Sequence, residues 1–564
     1  MASKSGGRRR DRGPGPGNDL AASQQPRFET ASGRAGTPPE SVLAAPSDSP
    51  VRPAESPETG SSRKGDPLER PEDLFIEPDG GNRESVRRLG YRFIDLLVDA
   101  SSEAGTRPPL DRASLIPASP YQPSEAGRDA GELLAEVDSF MRRGMNPAHP
   151  GFMGHMDTIA SAIGIFSDAV VSALNNNMLA YEMSAGFTEL EERLTRWACG
   201  LFGFASPSNG TGAFPSGYLV SGGTLANITA LWAARNRRGA AAEQISASGL
   251  AATSSPRVFF ASEAAHFSFG KAANLVGLGR DAWVRVPADS RGRVLPDRLR
   301  EAIAEARRSG RTPFCLVGVA GTTITGAIDP LDELADIAAE TGLWFHVDAA
   351  YGGAIAISEA LRPRLRGCER ADSITFNPQK WLYVPKTCAM VLFRDRTELE
   401  RAIREPFVYG SSNRTISPAG EQTRPNLGEW TIQGTRRVDA LKLYLTLEHI
   451  GRRRLARIVE RHCALATRLA EAIENHPETE LVAQPDLGIV CFRYIGRHPL
   501  DPSEIDARNA AIQRRLESEG RVWLSLPSHQ GRNCLRAVIL HPRCDEALLD
   551  GVLEDVVRIG RELS

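Results

Sequence analysis

Between about residues 186 and 400, short runs rich in β-branched and aromatic residues alternate with runs of helical pattern. RVFFAS, CLVGVAG, LWFHVDAA, SITF and CAMVLF read as strands, and LANITALWAARNRR and LDELADIAAETG as helices between them. Nearly continuous apolar strands of this kind need cover on both faces. Alternation with helices supplies that cover in an α/β fold with a mostly parallel sheet. Such sheets place ligands beyond the carboxyl ends of their strands, so the residues that follow each run become the candidates for chemistry.

The rest of the chain is arranged around this block. Residues 1–66, rich in Pro, Gly, Ser and Arg without apolar periodicity, read as a disordered tail. Residues 67–150 read as a helical segment: SVRRLGYRFIDLLVDA, with Leu89, Phe93, Leu96 and Leu97 on one face, a Pro-rich stretch at 105–124, and a second helix near 130–143. The large domain is expected at 151–400. Residues 401–564 read as a Pro- and Gly-containing loop, a long helix around 435–475, and a smaller α+β domain with strands near 488–494 and 535–540. A net charge of −2 favours neither nucleic acid nor a membrane surface as a partner. No apolar run approaches the ~20 residues of a membrane span, and Arg8, Arg9 and Arg10 are not followed by the apolar stretch of a secretory signal. Eight scattered cysteines without a CxxC pair fit reduced thiols in the cytoplasm, with neither a disulfide framework nor a metal site.

Of 68 basic residues only six are lysines: Lys4, Lys64, Lys271, Lys380, Lys386 and Lys442. Arginine stays protonated and cannot form a Schiff base with an aldehyde, so a lysine retained beside a strand end invites a chemical explanation. Lys380 stands there, in FNPQKWLYVPKTC after SITF. Partial desolvation lowers a lysine pKa and favours the neutral amine that imine chemistry needs. Taken alone, such a lysine is ordinarily a surface group.

Three further motifs change that reading. In WFHVDAAYGG an apolar strand ends at Asp348, a carboxylate placed to pair with a protonated pyridine nitrogen, with Ala350 small enough to let a flat ring lie close. A helix cap or a metal ligand is the alternative for Asp348, but no His/Asp cluster of metal spacing accompanies it. In VSGGTLANITALWAARN a strand leads through Gly223 and Thr224 into a helix, whose first amides suit a phosphate dianion. The turn lacks the Walker-A and dinucleotide-binding spacings. In SEAAHFSFGKAA, His266 lies between strand and helix, where it can stack on a ring and meet a carboxylate.

In this order SGGT, AHFSFGKA, HVDAAYGG and NPQKW resemble the group II pyridoxal-5′-phosphate (PLP) dependent decarboxylases, over roughly residues 85–545. That family acts on aromatic amino acids, glutamate, aspartate or diaminobutyrate. The resemblance implies fold type I, the aspartate-aminotransferase-like fold, with a seven-stranded sheet. It also implies a homodimer whose sites lie at the subunit interface. By the same resemblance Lys380 binds the cofactor's aldehyde, Asp348 pairs with the ring nitrogen and His266 stacks on the ring. Gly223 and Thr224 form the phosphate-binding turn with Asn377 nearby in the cofactor site, Thr323 lies beside the cofactor and Ala350 under it. Gly434 and Thr435 match a stretch that reaches the neighbouring subunit's phosphate. Gln379 stands where many members have histidine, and Tyr409, the candidate proton donor to Cα, is one residue out of the family's register after Pro406.

The expected reaction is α-decarboxylation of an L-amino acid to its amine and CO2. A different PLP reaction on the same fold (transamination, aldehyde synthesis or carbon–carbon lysis) and a non-catalytic PLP-fold protein are the alternatives. HPGFMGHMDT resembles the segment that lines the substrate pocket and supplies His155, Met156 and Asp157. An inward Asp157 would welcome a substrate ammonium, because an unpaired buried charge is costly. An Asp157 satisfied elsewhere would leave His155 and Met156 to select the substrate.

Overall fold

The computed structural model describes residues 75–76, 78–102, 121–125, 127–204, 215–237, 245–253, 255–405 and 426–563. The tail expected at 1–66, most of the Pro-rich stretch and Tyr409 with its loop lie outside the described residues.

Four helices precede the sheet: α1 (Arg83–Ser102), α2 (Ala130–Arg143), α3 (Ala162–Leu174) and α4 (Tyr181–Leu201). The Asp129 carboxylate caps α2 and the Ser161 hydroxyl caps α3, each accepting from first-turn amides that have no helical partner. The apolar face expected on α1 is partly covered: Leu89, Leu96 and Leu97 are half-buried, while Phe93 is 47% exposed.

The sheet is made of β1 (Ser216–Val220), β2 (Arg257–Ser262), β3 (Trp283–Val286), β4 (Thr312–Val319), β5 (Trp344–Ala349), β6 (Ser373–Phe376) and β7 (Ala389–Phe393). Its order is β1-β7-β6-β5-β4-β2-β3. The pairs from β6 through β3 are parallel, and β7 alone runs against its neighbours β6 and β1. The connections carry α5 (Gly223–Arg235), α6 (Ser268–Leu275), α7 (Pro296–Arg308), α8 (Leu331–Thr341) and the single turn α9 (Pro378–Trp381), with 3-10 turns alone between β5 and β6, and α10 (Arg396–Ile403) follows β7.

Alternate side chains of each strand enter different cores. Phe345 and Val347 of β5 pack with Leu299 and Ile303 of α7 and Leu334 of α8. Trp344 packs on the opposite face with Ala230 of α5 and with Phe269 and Ala272 of α6. Every residue of β5, β6 and β7 is buried, as the unbroken apolar runs require. Each large apolar side chain so buried contributes about 1.5–3 kcal/mol relative to exposure.

The long helix expected at 435–475 is two helices, α11 (Asp439–Ile450) and α12 (Arg452–Asn475). Gly451 separates them at φ +83°, a backbone state open to a residue without Cβ, and its N–H closes α11 on the Leu447 carbonyl. Beyond them come β8 (Thr479–Ala483), β9 (Ile489–Tyr494), α13 (Pro502–Glu519), β10 (Ser528–His529), β11 (Arg532–Asn533), β12 (Leu535–Val538) and α14 (Glu546–Glu562). An antiparallel sheet β12-β9-β8 is covered by α12, α13 and α14, with Leu469, Ile512 and Val556 packed among Val490, Phe492 and Ala537.

Candidate active site

The segments leaving the carboxyl ends of β1, β2, β4, β5 and β6 converge on a cavity of about 260 Å³. It is lined by Met156, Gly223, Thr224, Asn227, His266, Thr323, Asp348, Ala350, Asn377, Gln379 and Lys380, among others.

β1 enters α5 through Gly222 at φ +103°, and this helix start has no side-chain cap. Its first amides are therefore left for an anion, alongside the Thr224 hydroxyl. A Cβ on Gly223 would lie 2.9 Å from Asn377 Nδ2, so glycine is what lets that amide close on the turn. Asn377 is buried and its Oδ1 has no hydrogen-bond partner. The uncapped helix start fits a phosphate group, to which Asn377 can donate through the NH2 it turns toward Gly223.

Across the cavity, β5 delivers Asp348. Its Oδ1 accepts from Ala350 N–H at 3.1 Å and its Oδ2 from Asn227 Nδ2 at 2.9 Å. Lys380 sits on α9 with Nζ 3.5 Å from Met156 Sδ. Burial lowers its pKa against the opposing pull of Asp348, which favours the neutral amine. His266 accepts Ser268 N–H on Nδ1 at 3.2 Å. Burial lowers its pKa, with the Lys380 charge adding to it and Asp348 working the other way, which favours a neutral ring for stacking. An amine, a carboxylate and a phosphate-sized anion turn around one cavity are the parts needed to hold an aldehyde-bearing, phosphorylated pyridine.

Residues 113–495 match the model of the pyridoxal-dependent decarboxylase conserved domain. The chain belongs to the pyridoxal-dependent decarboxylase family. It is 31% identical over 502 residues to an L-2,4-diaminobutyrate decarboxylase of Rhizobium meliloti (strain 1021), covering 87% of this chain and 95% of that relative. An aromatic-L-amino-acid decarboxylase of Bacillus atrophaeus is 28% identical over 489 residues, 85% of this chain and 96% of that protein. The crystal structure of mouse CSAD in apo form superposes with a TM-score of 0.75 at 27% identity, covering 84% of this chain and 99% of that one. The fold is thus that of fold type I, and the protein is a PLP-dependent carboxy-lyase.

Within this decarboxylase the substrate segment differs from its sequence reading. Met156 faces the cavity from a bend over residues 154–156, and its neighbours find partners outside it. His155 packs edge-on against Trp523 at 4.7 Å, and Asp157 pairs with Lys386 Nζ at 2.6 Å. The partner anticipated from the substrate is supplied by the chain itself. Gln379 turns its carbonyl to Cys388 N–H at 2.5 Å, leaving its NH2 over. Next to Gly434 and Thr435, Gln433 donates to Ser221 Oγ of the same chain at 3.0 Å.

Three residues escaped the sequence reading. Asn227 lies one helical turn after Gly223, and His346 two residues before Asp348 on the same strand face; both spacings were available as signals. Arg536 carried none. It arrives from β12, buried, donating to the carbonyls of Thr323 and Gly154.

Proposed function

We propose that this enzyme removes the α-carboxylate of an L-amino acid, releasing CO2 and the corresponding amine, with PLP held at Lys380. The observation that carries the reading is the single cavity joining Lys380, Asp348, His266 and the Gly223–Thr224 turn. When bound, PLP supplies the electron sink that amino-acid side chains lack. Lys380, its proton loosened by burial, offers the amine that binds an aldehyde carbon. Asp348 spends one lone pair of each oxygen on Ala350 and Asn227 and keeps others for a protonated ring nitrogen. Gly223, Thr224 and Asn377 would hold the phosphate, His266 would stack on the ring, and Ala350 and Thr323 would border it.

Asp157, neutralised by Lys386, gives no reason to select a cationic substrate. We further propose a homodimer. Besides Phe93, the outer faces of α2 and α3 expose Phe140 (55%), Phe166 (45%) and Val170 (48%), an apolar extent that a lone soluble chain rarely presents. All eight cysteines are buried and unpaired, which suits the reducing cytoplasm, and no described helix is long and apolar enough to cross a membrane.

The test is a panel of L-amino acids offered to the PLP-loaded protein, with CO2 and amine measured together. Equimolar CO2 and amine from at least one substrate is the expected result. Keto acid, aldehyde or cleaved side chain in place of amine would assign a different PLP reaction, and binding without turnover of any substrate would make the protein non-catalytic.

A further inference from the structure

Behind Asp348 lies a chain of buried polar groups whose sense is fixed at both ends. Trp344 Nε1–H only donates, and it reaches Ser373 Oγ at 2.8 Å. Asp348, as a carboxylate, only accepts. Ser373 must then give its hydroxyl proton to His346 Nδ1 at 2.9 Å, and His346 Nε2–H must donate to Asn227 Oδ1 at 3.2 Å. Burial holds His346 neutral, its pKa lowered to about 4, so the ring carries a single N–H. Thr375 donates to the same Asn227 oxygen at 2.6 Å. The other end of the amide donates to Ser268 Oγ at 3.0 Å and to Asp348 Oδ2 at 2.9 Å. All four hydrogen-bonding positions of Asn227 are thus used. Ser268, in turn, gives its N–H to His266.

We infer that Asn227 is a positioning residue for the reaction: His346 and Thr375 lock its carbonyl end, so that its amide end always meets Asp348 as a donor and holds that carboxylate oriented as an acceptor for the ring nitrogen. Through Ser268 the same amide ties Asp348 to the helix start that holds His266. The inference rests on the proposed pairing of Asp348 with the cofactor. A donor at 2.9 Å holds the carboxylate oxygen in place; an acceptor there would turn it away.

The experiment uses holoenzyme reconstituted with PLP labelled with 15N in the ring. In the native protein the 15N resonance is expected at the protonated position, and in Asp348→Asn at the neutral one. Asn227→Asp replaces the donor by an oxygen of the same shape. It is expected to move the resonance toward the neutral position and to weaken PLP binding at least about tenfold. Ser373→Ala, remote from the cavity, frees His346 to reverse its tautomer and is expected to give a smaller shift in the same direction; it carries the test alone if Asn227→Asp does not fold. A purely structural role would lower thermal stability and leave the resonance in place. Native resonance and affinity in the Asn227 and Ser373 variants, with Asp348→Asn shifted, overturn the role of Asn227. An unmoved resonance in Asp348→Asn removes the Asp348 pairing, and the inference with it.

Discussion

At the scale of single residues, burial decides which groups can do chemistry. Of the described lysines, Lys271, Lys380, Lys386 and Lys442, it is Lys380 that lines the cavity beside Asp348 and His266, and burial favours its neutral form. Borohydride reduction of the PLP-loaded protein should therefore fix the pyridoxyl group on Lys380. Recovery of the label on Lys271, Lys386 or Lys442 in a peptide map would refute the assignment. Asp157 makes the opposite case. It is bound to Lys386 on the partly exposed flank of Met156, with 38% of its side chain open to solvent, so its pair is worth about 0–1 kcal/mol at most. Asp157→Asn should change the order of preferred substrates little and stability by less than about 1 kcal/mol. A changed rank order of kcat/KM across the amino-acid panel would return Asp157 to the substrate pocket.

At the scale of elements, the start of α5 is the informative joint. Gly223 lies within the helix, where alanine is ordinarily favoured over glycine by about 0.5–1 kcal/mol. Its methyl group would nevertheless press on the Asn377 amide. Gly223→Ala is thus expected to keep or raise the melting temperature of the apo protein while weakening PLP binding about tenfold, or about 1.4 kcal/mol. Titration of apo protein with PLP, beside a thermal melt, reads both. Unchanged PLP affinity would show that Asn377 is not part of the phosphate cradle. The helical periodicity around 435–475 continues through Gly451, so the break there was not legible; the φ of one residue lacking Cβ redirects the chain without disturbing the pattern.

At the scale of the whole molecule, three buried histidines set the response to acid. His346, His462 and His541 are each held neutral down to about pH 4, first by desolvation. An unfolded chain protonates its histidines near pH 6.5. Between those values the unfolded state binds more protons, so the stabilising contribution is complete above about pH 6.5 and is lost as pH falls toward 4. Urea denaturation at pH 7.5 and 4.5 should show a loss on the order of 2 kcal/mol per histidine; equal midpoints would mean that these rings are protonated in the fold. The partly open apolar faces of α1 and α2 belong to the same scale. Phe93→Glu combined with Phe140→Glu should convert a dimer to a monomer in sedimentation velocity, and a native protein that sediments as a monomer would end the dimer proposal.

What could be read without a structure was whatever is encoded locally. Continuous apolar strands and 3.6-residue periodicity dictate a sheet covered on both sides, and the sheet's direction dictates that Gly223, His266, Thr323, Asp348 and Lys380 leave it at one end. Those residues lie beside recognisable strand and helix boundaries, so their convergence was legible. The identity of each buried group's partner was not. Asn227 meets His346, Asp348 and Thr375, Asp157 meets Lys386, and Arg536 meets Thr323 and Gly154 only after distant segments are brought together. A buried charge or amide takes whichever partner the fold places within about 3 Å. Tertiary packing alone sets that distance, because no period or composition in the intervening chain encodes it.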